Sequence, residues 1–208
     1  MCDCYFTRRW TSVTENTKRE ILSAAENGII TTRKITELGI NRSALTELAA
    51  SGDLIRCSRG IYMLADEWED EFYLLQKRYA QGIFSHSTAL YLHGYSERVP
   101  LSMHMTFPTK YNSSSLGREN VIVTRVLPAN YQLGVTMVTT PSGNPVAAYD
   151  LERSLCDVVR GKGDDIQIVQ YAMKKYASSR ERDINKLMKY AKQLRVEPKI
   201  RQYMEVLL

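Results

Sequence analysis

Long apolar runs are missing. No stretch approaches the ~20 consecutive apolar residues that a membrane helix needs, and the opening MCDCYFTRRW holds no apolar core of a secretory leader. A cytoplasmic protein is expected. Cysteine is scarce too: Cys2, Cys4, Cys57 and Cys156 have neither zinc-site spacing nor the density of a disulfide framework, so reduced thiols are expected, and the Cys2/Cys4 pair alone could take a metal. The motifs of common catalytic sites are absent as well. GKGDD at 161–165 follows a helical stretch instead of opening a helix after a strand, so no phosphate cradle is expected there; G-x-S-x-G and H-E-x-x-H are not found. His86 and His93 are seven apart and could share a helix face, yet no third ligand sits at a telling spacing, so one is expected to cap and the other to be satisfied in the interior. Asp150 reads as a helix N-cap and Asp157 as the partner of a nearby Arg. No catalytic residue, metal site or cofactor is expected, and the chain is not expected to be an enzyme.

What is present suits a sizeable core: 208 residues, 44% hydrophobic, enough for one large or two modest domains. The net charge of +5 is unevenly spread. Lys and Arg number 9 against 7 acids in residues 1–65, 7 against 10 in 66–159, and 12 against 6 in 160–208. A polyanion therefore has a candidate docking region at either end, although a solvated helical face would give the same count at the second.

The most informative stretch is 31–64, TTRKITELGINRSALTELAASGDLIRCSRGIYML. Ile35 and Leu38 give a short apolar stripe, Gly39 a tight turn, and Asn41 a cap for a second helix with Leu45, Leu48 and Ala49 facing inward. The helix is stopped by Ser51 and Gly52. LIRC and GIYML, joined by Ser58 and Arg59, form a hairpin. Together these predict a winged helix-turn-helix. On its second helix Arg42, Ser43, Thr46, Glu47 and Ala50 share an outward stripe suited to a major groove. Arg42, Ser43 and Thr46 are therefore candidate base readers. Arg33, Lys34, Arg56 and Arg59 are candidates for phosphate or the minor groove, as are Lys18 and Arg19 on the preceding helix, with Asn41 completing the DNA-facing set. That preceding helix is predicted within residues 17–27, burying Ile21, Leu22 and Ala25 and ending at Gly28.

Residues 1–16 show no period and read as an arm. DEWEDEF, from Asp66, opens an acidic helix running to about Gly82, and the domain boundary is placed near residue 65. IFSHSTALYLHGY reads as a short strand, a cap and a helix ended by Gly94. LSMHMTFP, VIVTRV, VTMVTT and the stretch after PSGNP are strands of one small sheet over about 83–149, with a polar loop at 111–118. From Asp150 the period turns helical through LERSLCDVVRG, DIQIVQYAMKKYAS, ERDINKLMKYAKQLRV and PKIRQYMEVLL. The expected fold class is α+β: residues 1–65 a winged helix-turn-helix, residues 66–208 a mixed domain with a small sheet and helices over about 150–208.

This succession, a wing reading SRGIYML, then FSHSTALYLHGY, strands punctuated by proline, and DLERSLCDVVR opening a helical end, resembles the AbiEi antitoxins of bacterial abortive-infection systems, from Thr17 onward. The resemblance implies a transcriptional autorepressor whose N-terminal domain binds inverted repeats in its own promoter, as a weak dimer or as monomers that cooperate on DNA. It also implies a C-terminal domain acting as antitoxin against a nucleotidyltransferase-like toxin, in a type IV system without a stable complex, in the bacterial cytoplasm near the nucleoid. The residues alone leave open a nucleic-acid-modifying or nucleotide-binding enzyme delivered by a winged domain, and a protein-interaction module using the basic helical end.

Overall fold

The computed structural model describes residues 13–112, 120–161 and 165–207. Most of the N-terminal arm with Cys2 and Cys4, most of the loop 111–118 and the middle of GKGDD lie outside the described residues. The chain divides into two compact units, Met1–Arg78 and Tyr79–Leu208.

In the first unit, α1 (Glu15–Ser23) starts where Thr14 Oγ1 accepts the Thr17 N–H, a Ser/Thr cap that satisfies one orphan donor. β1 (Ile29–Thr31) follows and runs without a loop into α2 (Thr32–Glu37), because Thr31 ends the strand and caps the helix by accepting the Lys34 N–H. β1 is a strand that the helical reading of the sequence omitted. Three residues carry too short a period to announce one. Gly39, at φ +74°, lets Ile40 N–H return to Ile35 O, which closes α2 and turns the chain. Next come α3 (Ser43–Ala50), β2 (Leu54–Ser58) and β3 (Ile61–Leu64), and the antiparallel sheet has the order β1-β3-β2. This element order is that of the expected winged helix-turn-helix. Ile21, Ile30, Ile35, Ala44, Leu45, Leu48, Leu54 and Tyr62 make one buried cluster that locks the three helices to one face of the sheet. Leu38 departs from the expected stripe and is 40% exposed, because the turn at Gly39 lifts it away from that cluster.

The expected boundary near residue 65 moves to 78. The acidic helix is shorter than expected, α4 (Glu71–Arg78), and it groups with the first unit: Lys77 pairs with Glu26, and Arg78 donates to the Cys57 carbonyl at the end of the wing.

The second unit holds β4 (Ile83–Phe84), α5 (His86–Leu92), β5 (Met103–Pro108), β6 (Val121–Val126), the short α6 (Pro128–Tyr131), β7 (Val135–Thr139) and β8 (Pro145–Tyr149). Its five-stranded sheet runs β6-β5-β4-β8-β7, with β4–β8 and β5–β6 parallel and the other two pairings antiparallel. Four helices complete it: α7 (Leu151–Arg160), α8 (Ile166–Ser178), α9 (Ile184–Gln193) and α10 (Glu197–Leu207). α7 touches α5, α8, α9 and α10, and its residues from Glu152 to Val159 are all buried. Helices surround it, so even its polar side chains must find partners inside. Leu155, Val158, Val159, Val169, Leu187, Ala191, Leu194 and Ile200 fill the core between them.

Candidate nucleic-acid interface

The second helix of the motif presents its apolar side to the core and its polar side to solvent. Ala44, Leu45 and Leu48 are buried, while Arg42, Ser43, Thr46 and Ala50 are exposed. Glu47, on the same stripe, is half-buried because its carboxylate accepts the Val13 N–H at 2.7 Å, so its charge is turned toward the domain's own backbone. Asn41 keeps the capping role its sequence position suggests: Oδ1 accepts the Ser43 N–H at 3.0 Å. Arg42 Nε donates to Thr36 Oγ1 at 2.9 Å, a contact from the head of α3 back to the last turn of α2.

The wing is a two-residue turn. Its bulge lies between Arg56 and Ser58, and Arg59 and Gly60 connect the strands. Gly60 stands at φ +78°, and a Cβ there would come within 2.8 Å of Thr32 Oγ1, so glycine is what lets the turn lie against the start of α2. The Thr32 N–H donates to Gly60 O at 2.9 Å and fixes that approach. The six residues of α2 thus have the wing turn at their head and Arg42 at their tail, about 9 Å of helix apart.

The cations along this surface differ in how their charge is spent. Arg19, Arg56 and Arg59 are exposed and make no ion pair or side-chain hydrogen bond among the described residues. Arg33 pairs with Glu37 one turn on, at 2.9 Å, with both groups mostly in solvent, where such a pair holds little and exchanges readily. Lys34 and Lys77 share Glu26, at 3.1 and 3.2 Å, and their hydrogen bonds hold the Glu26 carboxyl below the ordinary range. Glu26, Arg33, Lys34, Glu37 and Lys77 line one pocket of about 330 Å³. Lys18 is engaged by Asp53 at 2.7 Å, which raises the lysine and lowers the aspartate through their mutual hydrogen bond; this ties α1 to the turn before β2. Sequence reasoning named each of these cations except Lys77, and none of the carboxylates that hold them. Glu26 and Asp53 are distant in the chain from their partners, so no spacing rule finds them.

In the second unit the titratable groups named from sequence are spent on structure. Asp150 caps α7 by accepting the Arg153 N–H, and its other oxygen takes Tyr190 Oη and Lys186 Nζ. Asp157 is fully buried between Arg153 Nε at 3.0 Å and Arg160 Nη2 at 3.2 Å; burial pushes its carboxyl up and the two guanidiniums oppose that. Glu152, Lys186 and Tyr176 extend the network. Burial pushes the Cys156 thiol up to about 12, so it stays a protonated core group. His93 caps α5 and its Nε2 donates to Tyr149 O at 2.8 Å. His86 opens α5 at φ +52° with Nδ1 3.0 Å from Ser85 Oγ, and its ring meets that of His104 edge-on at 5.1 Å, a partner that no spacing predicted. Among the described residues no group of three or more His, Cys, Asp or Glu is placed to hold a metal, and no helix is long and apolar enough to cross a membrane.

Comparison with known proteins bears on the first unit. No curated protein matches the chain. A crystal structure of the RV2827C protein from Mycobacterium tuberculosis is similar over 94% of this chain and 81% of that one, at 16% identity and a TM-score of 0.49. The family model described as transcriptional regulator, AbiEi antitoxin, matches residues 19–65, from the middle of α1 through β3. Residues 19–65 are thus similar to the transcriptional-regulator domain described for the AbiEi antitoxins.

Proposed function

We propose that the first unit is an operator-binding domain that represses the chain's own promoter at inverted repeats. The second unit acts in this reading as the antitoxin against a nucleotidyltransferase-like toxin, in the type IV manner, without a stable complex. The observation that carries the DNA reading is the surface at the head of α3. Arg42, Ser43 and Thr46 are exposed there, and the wing turn with the unpaired Arg59 is fixed to the other end of α2. Arg42, Ser43 and Thr46 read base edges. Arg56 and Arg59 take phosphate or the minor groove, joined by Arg19 and by Arg33 and Lys34 once phosphate replaces their carboxylates. Lys18 and Asn41 support the surface from behind through Asp53 and the Ser43 N–H. Inverted repeats call for two copies of the domain, supplied by a weak dimer or by monomers that cooperate on DNA.

The test is a mobility shift of the full chain with duplex from upstream of its own gene and with a scrambled duplex. Arg42→Ala should relax the preference by about 1 to 3 kcal/mol, whereas Arg59→Ala should weaken both duplexes alike and flatten the salt dependence by about one unit of slope. Equal binding of both duplexes by the unaltered chain, or binding unchanged in both variants, removes the proposal.

A further inference from the structure

Arg33 in the first turn of α2 and Arg42 at the head of α3 have their side chains held in opposite ways. Arg33 Nε is given to the Glu37 carboxylate, which neutralises it. Arg42 Nε is given to a neutral hydroxyl, Thr36 Oγ1, at 2.9 Å, and Arg42 makes no ion pair among the described residues. The Thr36 hydroxyl has one proton and two lone pairs, and its proton is already committed to Thr32 O at 2.8 Å. Towards Arg42 it can therefore only accept, and the hydrogen bonds run one way, Arg42 Nε–H to Thr36 Oγ1–H to Thr32 O. Such a chain polarises each member in the same sense. Thr32 is in turn fixed to the wing turn through its N–H and Gly60 O. Threonine is stiff about χ1, so the acceptor's position follows the backbone of α2.

We infer that Thr36 is a positioning residue that presets Arg42 to recognise a guanine in the major groove, an inference that rests on the operator-binding reading above. With Nε occupied, the guanidinium keeps its two Nη groups as the free edge, and that edge matches guanine O6 and N7 in a bidentate pair. Arg42 stands at the head of α3, where recognition helices meet base edges. An arginine held at Nε loses less freedom on meeting the base than one swinging in solvent, so the bond to Thr36 adds selectivity for guanine without itself touching DNA.

The experiment begins with in vitro selection from a random duplex library using the full chain, repeated with Arg42→Ala to find the base pair whose preference depends on Arg42. Affinities for the selected duplex, for the same duplex with that G·C replaced by A·T, and for a scrambled duplex are then measured for the unaltered chain, Thr36→Val and Thr36→Ser. Valine keeps the shape of threonine and removes the acceptor; serine keeps the acceptor. Thr36→Val should lose about fivefold to tenfold of the G·C over A·T discrimination with scrambled-duplex binding unchanged, and Thr36→Ser should restore most of it. Discrimination equal to the unaltered chain in Thr36→Val, or a uniform loss on all three duplexes with a lower melting temperature, overturns the positioning role and leaves operator binding standing. A selection that enriches no sequence removes operator binding, and this inference with it.

Discussion

Replacing Arg153 by methionine isolates what holds the second unit together at its centre. The Arg153 side chain is wholly buried. Its Nη1 donates to Asn130 O and Leu133 O at 2.6 and 3.0 Å, its Nε to Asp157 at 3.0 Å, and its guanidinium lies 4.1 Å from the centre of the Tyr149 ring. Methionine matches much of the volume and none of the donors. The carbonyls of Asn130 in α6 and of Leu133 just after it lose this donor, and Asp157 keeps Arg160 alone. Removing one member of a buried ion pair costs about 3 to 5 kcal/mol, chiefly because the other charge is left uncompensated. For a unit of this length, near 130 residues, each kcal/mol lowers the melting temperature by about 4 °C, so the expected fall is about 15 °C.

The loss should also depend on pH, and its sign follows from Asp157. Burial already pushes that carboxyl up, and deleting Arg153 removes the strongest attraction that opposes burial. A folded-state pKa above the unfolded one means that the folded chain binds the extra proton in the window between them, so stability falls as pH rises through that window. Urea melts followed by circular dichroism at pH 5 and pH 8 should show the larger loss at pH 8. Arg153→Met with Asp157→Leu removes the stranded charge and should recover part of the stability, but not all, since Asn130 O and Leu133 O stay without their donor. A fall below about 1 kcal/mol for Arg153→Met, or equal losses at the two pH values, refutes the reasoning.

Two further perturbations address the first unit. Glu26→Gln removes the carboxylate shared by Lys34 and Lys77, so both ammonium groups become available to phosphate. Binding to any duplex should tighten at low salt and the salt slope should steepen by about one to two units, read from fluorescence anisotropy across a salt series; an unchanged slope places these lysines off the DNA path. The Glu26 carboxyl is held below its ordinary value, so its contribution is present above that value and lost as pH falls through the lowered one. Gly60→Ala puts a Cβ at a left-handed position and against Thr32 Oγ1. It should cost about 1 to 2 kcal/mol in thermal melts and weaken specific and scrambled duplexes together, while a neutral result would show that the wing turn tolerates displacement from α2.

Much of the fold was legible because its signals are local. Leu45 and Leu48 of α3 sit one turn apart, Pro198 lies in the first turn of α10, Asp150 caps α7, and strands such as VIVTRV and VTMVTT alternate between turn residues. What escaped was short or settled at long range. β1 and α6 have three and four residues, too few to show a period. α4 reads like the start of a new domain because DEWEDEF is an acidic helix opening. The structure assigns it to the first unit through Lys77 to Glu26 and Arg78 to Cys57 O, contacts spanning 51 and 21 residues.

The candidate interface shows the same division more sharply, because a cation's availability depends on its counter-charge. The sequence displays Lys18, Arg19, Arg33, Lys34, Arg42, Arg56 and Arg59 as equals. Folding ranks them: Asp53 takes Lys18 at 2.7 Å, Glu26 and Glu37 hold Lys34 and Arg33 loosely at the surface, Thr36 accepts from Arg42 without cancelling its charge, and Arg19, Arg56 and Arg59 have no ion partner among the described residues. A phosphate exchanges with a surface carboxylate at little cost, since both partners remain in water and the exposed pair held little to begin with. The ranking therefore orders the expected salt slopes of the alanine variants. Arg59→Ala and Arg56→Ala should each lose close to a full phosphate contact, Arg33→Ala and Lys34→Ala less, because Glu37 and Glu26 are released as competing charges, and Lys18→Ala least. A slope loss for Lys18→Ala equal to that of Arg59→Ala would mean that DNA reaches Lys18 past Asp53, and that the carboxylates do not set the order.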